Sequence, residues 1–309
     1  MAIRVSTPGN YSAVLANLLS AQQRQMAAGV KVSTQKNGSN LKDYARDAEM
    51  LTGMRSLKTR LDTYYEQAGL IGEKLATQDT ALNRVAEAAK MTRQVMAEAL
   101  ASGRVDTLME DIEAQLRNAV EGMNARWGGK YLFAGGQVDT RPVTAATLAD
   151  LTSGPPVASF FRNDSFKASA KIDDATTIET GILASDIGTN MLTAFRTIQQ
   201  FEEGASGPFT GAMTAAQRTF LESQLATWDG IRQDVVNVAA RNGMIQKRVE
   251  TVQTDLIARQ NSLTGMMGNI VDADMAEAAA QLQQAQFSVQ AAAHVFAALS
   301  ESSLLKILK

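Results

Sequence analysis

The chain has 309 residues, 30 of them basic and 32 acidic, for a formal charge of −2. That balance leaves no basic excess to attract nucleic acid or an anionic membrane surface. Cysteine is absent, which removes disulfides, thiolate metal sites and cysteine nucleophiles together.

The opening segment, to about residue 33, reads as an amphipathic helix. Val14, Leu15, Leu18, Leu19 and Met26 share its apolar face. Its apolar patch is interrupted by Asn17 and has polar flanks, so a cleaved signal peptide is not expected. No run of about 20 apolar residues follows, so no membrane-spanning helix is expected either.

The strongest early signal runs from Met54 to Ala99. Met54, Leu61, Ala68, Leu75, Leu82, Ala89 and Met96 recur every seven residues. Leu57, Tyr64, Ile71, Gln78, Val85, Thr92 and Ala99 follow three residues behind. The two series make an a/d seam with Gln78 and Thr92 as its polar members, which predicts a long helix packed in coiled-coil style. At the usual rise per residue it would reach about 70 Å. Ser102-Gly103 supplies a stop.

A second helix is expected from Asp106, as N-cap, to Trp127, with Leu108, Ile112, Leu116, Ala119, Met123 and Trp127 on its apolar stripe. Glu110, Asp111 and Glu113 suit its positive N-terminal end. Gly128-Gly129 ends it. From Lys130 to about Gly181 the composition turns to Pro, Gly, Thr, Phe and Asp. Tyr131–Gly135 reads as a short strand. Phe166–Ile172 alternates, and Thr176–Ile182 can pair with it around Asp173-Asp174. Helix returns over about Ile187–Glu203 and again from Thr214 after a loop.

The second long seam follows. Ile231, Val235, Val238, Asn242, Ile245, Val249, Val252, Leu256, Arg259, Leu263, Met266 and Ile270 alternate steps of four and three. Asn242-Gly243 could be a hairpin turn, but the seam keeps its phase on both sides, which favours an unbroken helix. Asp274, three residues before Glu277, suits the cap of a last helix to Leu305. That helix carries Leu282, Ala285, Val289, Ala292, Phe296 and Leu299 among Ala and Gln. One such helix buries little alone and needs a partner.

The fold expected is therefore mainly α: a long antiparallel coiled-coil bundle built from both chain ends, with a small β-rich central insertion. Residues 1–33 with 274–309 would form a terminal helical unit, 34–136 with 184–273 the bundle, and 137–183 an outer domain. Leu61, Leu75, Leu82, Val85, Ile245, Val249, Val252 and Leu256 are the expected bundle seam. Exposed assembly contacts are expected from Val14, Leu15, Leu18, Leu19, Met26, Leu282, Ala285, Val289, Ala292, Phe296, Leu299, Leu304 and Leu305.

Catalytic chemistry finds little footing. His294 is the only histidine, which excludes His-based triads and multi-His metal sites. Asp272-Ala273-Asp274 lacks the twelve-residue loop of a calcium site and reads as a cap. Gly128-Gly129-Lys130 lacks the frame of a phosphate loop. No cofactor, metal or catalytic residue is expected, and the chain reads as structural.

Ile231–Leu256, Asn269–Phe296 and Ser303–Leu308 resemble the C-terminal segments of the flagellin family of bacterial flagellar axial proteins. The match lies in Gly243, Arg248-Val249-Glu250 and the run Ile270–Glu277. Ile3–Val32, with its Gly29-Val30-Lys31-Val32 step, is similar to the family's N-terminal segment. Gly128–Val143 (GGKYLFAGGQVDTRPV) resembles the hook-associated members that join hook to filament. Thr34–Met50 departs from the family's Asn/Pro-Ser-Asp-Asp-Pro run. The resemblance implies a protein exported without a cleaved signal through the flagellar type III export apparatus, with an export chaperone. It would assemble with itself, the preceding hook-associated protein and flagellin outside the cell. A divergent filament flagellin and a soluble coiled-coil secretion-system adaptor are the alternatives.

Overall fold

A computed structural model describes residues 7–305, with side chains over 11–299. Seven α-helices and two small hairpins make up its regular structure among the described residues. The chain divides into two compact units. One is built from both chain ends, up to Leu61 and from Ala258; the other is the continuous stretch Asp62–Ile257.

In the unit of chain ends, α1 (Thr7–Thr34) packs against α7 (Met275–Leu305). The pairing is antiparallel: the Tyr11 and Phe296 rings meet at a tilt with centroids 5.0 Å apart, while Arg24, Ala28 and Lys31 share a groove with Gln281, Gln284 and Ala285. Asp274 caps α7, its carboxylate accepting from the amides of Ala276 (2.8 Å) and Glu277 (3.2 Å). The unit also takes in the start of α2 (Ala48–Ser102) and the end of α6 (Ala215–Val271).

Two short connectors cross in this unit and knit together. The Asn37 amide donates to the Val271 carbonyl and the Ala273 amide to Gln35, at 2.8 and 2.9 Å. The Asn37 side chain adds bonds to Ile270 and Asp272, so it also serves orphan carbonyls at the end of α6. Tyr44, in a 3-10 turn over Leu41–Tyr44, exchanges hydrogen bonds with Gly38 at 2.8 Å and reaches Val271. Asp43 accepts from the Ser39 and Asn40 amides. These contacts occupy the stretch that departs from the family's sequence.

In the continuous unit, α2 and α6 form the long seam the heptads predict. Leu61, at the edge of the other unit, and Ala68, Leu75, Leu82, Val85, Ala89, Met96 and Ala99 are all buried on α2. Leu221, Trp228, Ile231, Val235, Val249 and Leu256 are buried on α6. The helix runs unbroken through Asn242-Gly243, so the hairpin alternative does not occur. Met54 is half-buried, and Leu57 and Met266 are exposed, at the expected ends of the seams.

The main core gathers α2 and α6 with α3 (Leu108–Met123) and α5 (Ala184–Glu203). Phe195 packs edge-on against Trp228 with ring centroids 4.6 Å apart. Residues 137–183 share this core through Val143, Ala145, Leu148, Leu151 and Val157; Leu148 and Leu151 lie on the short helix α4 (Leu148–Thr152).

The end of the second helix differs from expectation. The helix α3 starts at Leu108 with Thr107 as N-cap, and stops at Met123. Asp106 instead accepts from the Gly211 amide at 2.7 Å and pairs with Arg104. Its backbone neighbours form a small ladder with residues 211–213 (Val105 to Gly211, Met213 to Gly103). A partner 105 residues away outcompetes the local cap. At the other end, Asn124 exchanges side-chain bonds with the backbone of Val143 (2.9 and 3.0 Å), and the chain leaves the helix there.

Trp127 therefore lies in strand β1 (Arg126–Trp127), paired with β2 (Lys130–Tyr131) across Gly128-Gly129. Both glycines have positive φ, +56° and +81°, as a tight two-residue hairpin turn requires. The expected strand Tyr131–Gly135 shrinks to Tyr131 and an isolated bridge from Ala134 to Leu183. Gly135, at φ +68°, turns the chain away. The second hairpin, β3 (Ser169–Lys171) with β4 (Thr177–Glu179), keeps the expected pairing around Asp173-Asp174.

Candidate assembly surfaces

In α1 Val14, Leu18, Ala21, Gln25, Ala28 and Val32 are buried or half-buried, with Gly29 and Lys31 half-buried beside them. The first six, in steps of four and three, form one seam. In α7 the corresponding set is Ala278, Leu282, Ala285, Val289, Ala292, Phe296 and Leu299. Of the residues expected to meet other subunits, Val14, Leu18, Leu282, Ala285, Val289, Ala292, Phe296 and Leu299 thus lie along the seam of this helix pair. The side chains of Leu304 and Leu305 lie outside the described residues.

Leu15, Leu19 and Met26 belong to a different face. They are exposed at 38%, 52% and 65%, and Val30 joins them at 44%. At about 100° per residue the four fall within an arc of about 60°, turned about 130° from the seam. This second stripe stays exposed in the single chain. On α7, Phe287 is 72% exposed and stands about 180° round from that helix's seam. No Asp, Glu, Lys or Arg occurs between Glu277 and Glu301. A helix with a sealed seam, an outward phenylalanine and no charge over six turns is poorly suited to face water on the remaining sides.

Val30 and Phe287 are not among the assembly contacts expected from the sequence. Val30 was legible, since it continues Leu15, Leu19 and Met26 by a step of four. Phe287 falls between the seam positions, and only the placement of the seam reveals that it points away.

The expected bundle-seam residues separate cleanly from these. Leu61, Leu75, Leu82, Val85, Val249 and Leu256 are buried, and Ile245 and Val252 are half-buried. The buried ones hold the long helices together.

The glycine-rich stretch at Gly128–Val143 is a fastening. The Arg126 guanidinium sits over the Tyr131 ring at 4.1 Å and bonds its hydroxyl. Phe133 is fully buried, and its carbonyl accepts from the first amide of α5 at 2.9 Å. Asp164 accepts from the amides of Gly136 and Phe166, both at 2.9 Å, which holds its carboxyl below the usual range. These bonds tie the end of α3 to the start of α5.

Among the described residues no three His, Cys, Asp or Glu side chains come together as a metal site would need. His294 is exposed. No helix among them is long and apolar enough to cross a membrane.

Residues 225–308, which span all but the first ten residues of α6 and all of α7, match the family described as the bacterial flagellin C-terminal helical region. That match supports the resemblance found in the sequence for this part of the chain. Similarity of fold extends beyond this segment. A candidate flagellar hook-associated protein from Vibrio parahaemolyticus matches at a TM-score of 0.61 and 14% identity, over 74% of this chain and all of that one. Bacillus cereus FlgL matches at 0.53 and 13% identity, over 71% of this chain and 99% of its own. At these identities the likeness is one of fold. No curated protein matches the sequence.

Proposed function

We propose that this chain is a structural subunit of the bacterial flagellum and forms the junction between hook and filament by self-assembly. The observation that carries it is the second apolar stripe on α1, Leu15, Leu19, Met26 and Val30, beside an uncharged α7 with Phe287 facing outward. Burying those side chains requires further copies of the same helix pair, and association supplies the burial that one chain lacks. The flagellin C-terminal region and the fold shared with hook-associated structures support the flagellar setting.

In this reading residues 1–33 and 274–309 line the inner tube, 34–136 with 184–273 form the bundle around it, and 137–183 face outward. The subunit works outside the cell, after passage through the type III export apparatus with an export chaperone. It contacts the preceding hook-associated protein on one side and flagellin on the other. Its role is mechanical, with no substrate and no cofactor.

Electron microscopy of a strain lacking the gene tests it. Hooks without attached filaments are the expected result. Filaments of altered composition on normal junctions would instead identify a divergent filament flagellin. Limited proteolysis separates the third reading: a flagellar subunit loses both ends as a monomer, whereas a free-standing secretion adaptor resists there.

A further inference from the structure

The pair Asn-Gly occurs twice in the chain, at Asn37-Gly38 and Asn242-Gly243. It is the dipeptide whose own backbone can attack its side chain, because glycine has no Cβ to keep its nitrogen from the preceding side-chain amide. The structure gives the two pairs opposite settings.

Asn242-Gly243 lies in mid-helix. Both residues belong to α6, so the Gly243 amide is committed to the helix ladder. The Asn242 side chain is 1% exposed and donates to the Leu75 carbonyl at 2.9 Å. Freeing either group means parting α6 from α2.

Asn37-Gly38 lies in the connector after α1, and Asn37 is exposed. Glycine is required there: a Cβ at residue 38 would collide with the Asp43 side chain, which the Ser39 and Asn40 amides hold at 2.9 Å each. Asparagine is used as well, since its Nδ2 donates to the Asp272 carbonyl at 2.9 Å. The crossing of the connectors thus calls for the reactive pair, and it also restrains it. The Gly38 N–H, the nucleophile, donates to Tyr44 Oη at 2.8 Å, and the leaving nitrogen is the Nδ2 held by Asp272. Apart from the Tyr44 ring, the pair is held by hydrogen bonds at the surface rather than by a core. Such segments open locally without global unfolding.

We propose that Asn37-Gly38 is a self-modification site: the closed crossing keeps it silent, and each local opening exposes it to irreversible deamidation. With the connector open, the Gly38 nitrogen attacks Asn37 Cγ. The N–Cγ bond forms, the Cγ–Nδ2 bond breaks, and ammonia leaves with the proton of the Gly38 amide. Water then opens the cyclic imide. Cleavage of the new N–Cγ bond leaves aspartate at position 37. Cleavage of the original peptide bond leaves isoaspartate, with the chain routed through Cγ. Either product puts a carboxylate where an N–H faced the Asp272 and Ile270 carbonyls. Isoaspartate also adds a backbone atom between the bonds to Val271 and Tyr44. The crossing cannot close again as before, so modification accumulates as a record of opening.

Timed peptide mapping by mass spectrometry on the full wild-type chain tests it, in a mildly alkaline buffer with and without concentrated urea. In buffer, Asn37 should convert at least tenfold faster than Asn242, which opens only with its helix. In urea the two should convert at similar rates, and Asn37 at least several-fold faster than in buffer. Equal rates for the two pairs in buffer, or an Asn37 rate that urea does not raise, overturns the proposal. Tyr44→Phe releases the Gly38 N–H and should raise the Asn37 rate several-fold while Asn242 stays unmodified; an unchanged rate overturns the restraint by Tyr44. The wild-type readings stand even where that variant does not fold. In aged wild-type chains the Ala273 amide, which bonds Gln35, should exchange faster than in fresh ones. Full protection of that amide in chains modified at position 37 would mean that the crossing recloses, and overturns the last step.

Discussion

The Asn37 side chain donates to the Asp272 carbonyl at 2.9 Å, across 235 residues of sequence. With the backbone bonds Asn37 to Val271 and Ala273 to Gln35, it closes the crossing of the two connectors. Replacing it by alanine removes the side-chain bonds and leaves the backbone ones. At an exposed site the expected cost is about 1 kcal/mol. Hydrogen exchange should show the Ala273 amide at least several-fold less protected in Asn37→Ala, with α3 and α5 unaffected. Gln35 beside it holds φ at +59°, so Gln35→Gly should be neutral or stabilising by up to about 1 kcal/mol in thermal unfolding.

Close approach of helices sets a second prediction. A Cβ on Gly122 of α3 would lie 2.7 Å from Val85 Cγ2 and 3.1 Å from the Ala81 carbonyl on α2. Ala81 and Val85 belong to the main core and have little room to give. Gly122→Val should therefore cost about 1–3 kcal/mol through overpacking, despite the better helix propensity. Gly230, with nothing within 4 Å of its Cβ position, is the control: Gly230→Ala should stabilise by about 0.5–1 kcal/mol. Denaturant unfolding of the two variants should move in opposite directions.

The long helices were legible because their evidence is periodic and local. Seven-residue repeats survive any choice of partner, and the phase across Asn242-Gly243 ruled against a turn. The β3–β4 pairing was legible for the same reason, from alternation around two aspartates. What escaped were features decided by distant segments. Asp106 looks like a cap until Gly211 is beside it, and Trp127 fits a helical stripe until Asn124 binds Val143. In the assembly surfaces, the residues on α1 and α7 could be listed from the sequence. Which of them face the partner helix within the chain, and which face outward, depends on a rotation that only the packed pair defines.

Acid should destabilise the continuous unit. Asp106, Asp150 and Asp164 each accept backbone amide bonds that hold their carboxyls below the ordinary value: from Gly211 for Asp106, from Ala146 and Thr147 for Asp150, and from Gly136 and Phe166 for Asp164. A carboxyl depressed by folding stabilises the fold fully above its unfolded value, about pH 4, and loses that contribution as pH falls through the folded value. Thermal stability should therefore fall steadily below about pH 4. Asp164→Asn should show a shallower acid slope, because one linked group is gone. An unchanged slope would mean that Asp164 is not among the linked groups.

The sharpest prediction separates burial from assembly. Leu75 and Trp228 are fully buried in the seam and core, so Leu75→Ala should cost about 2–5 kcal/mol and Trp228→Ala about 3–5 kcal/mol of monomer stability. Leu19, Met26 and Phe287 are exposed in the single chain at 52%, 65% and 72%. Replacing each by serine removes little that the monomer uses, so its unfolding should shift by no more than about 0.5 kcal/mol. If these side chains are buried only between copies, the same triple variant should lose assembly, read as the absence of sedimenting polymer and of filaments attached to hooks. The reverse pattern, a destabilised monomer that still assembles, would place the contacts between subunits elsewhere on the chain.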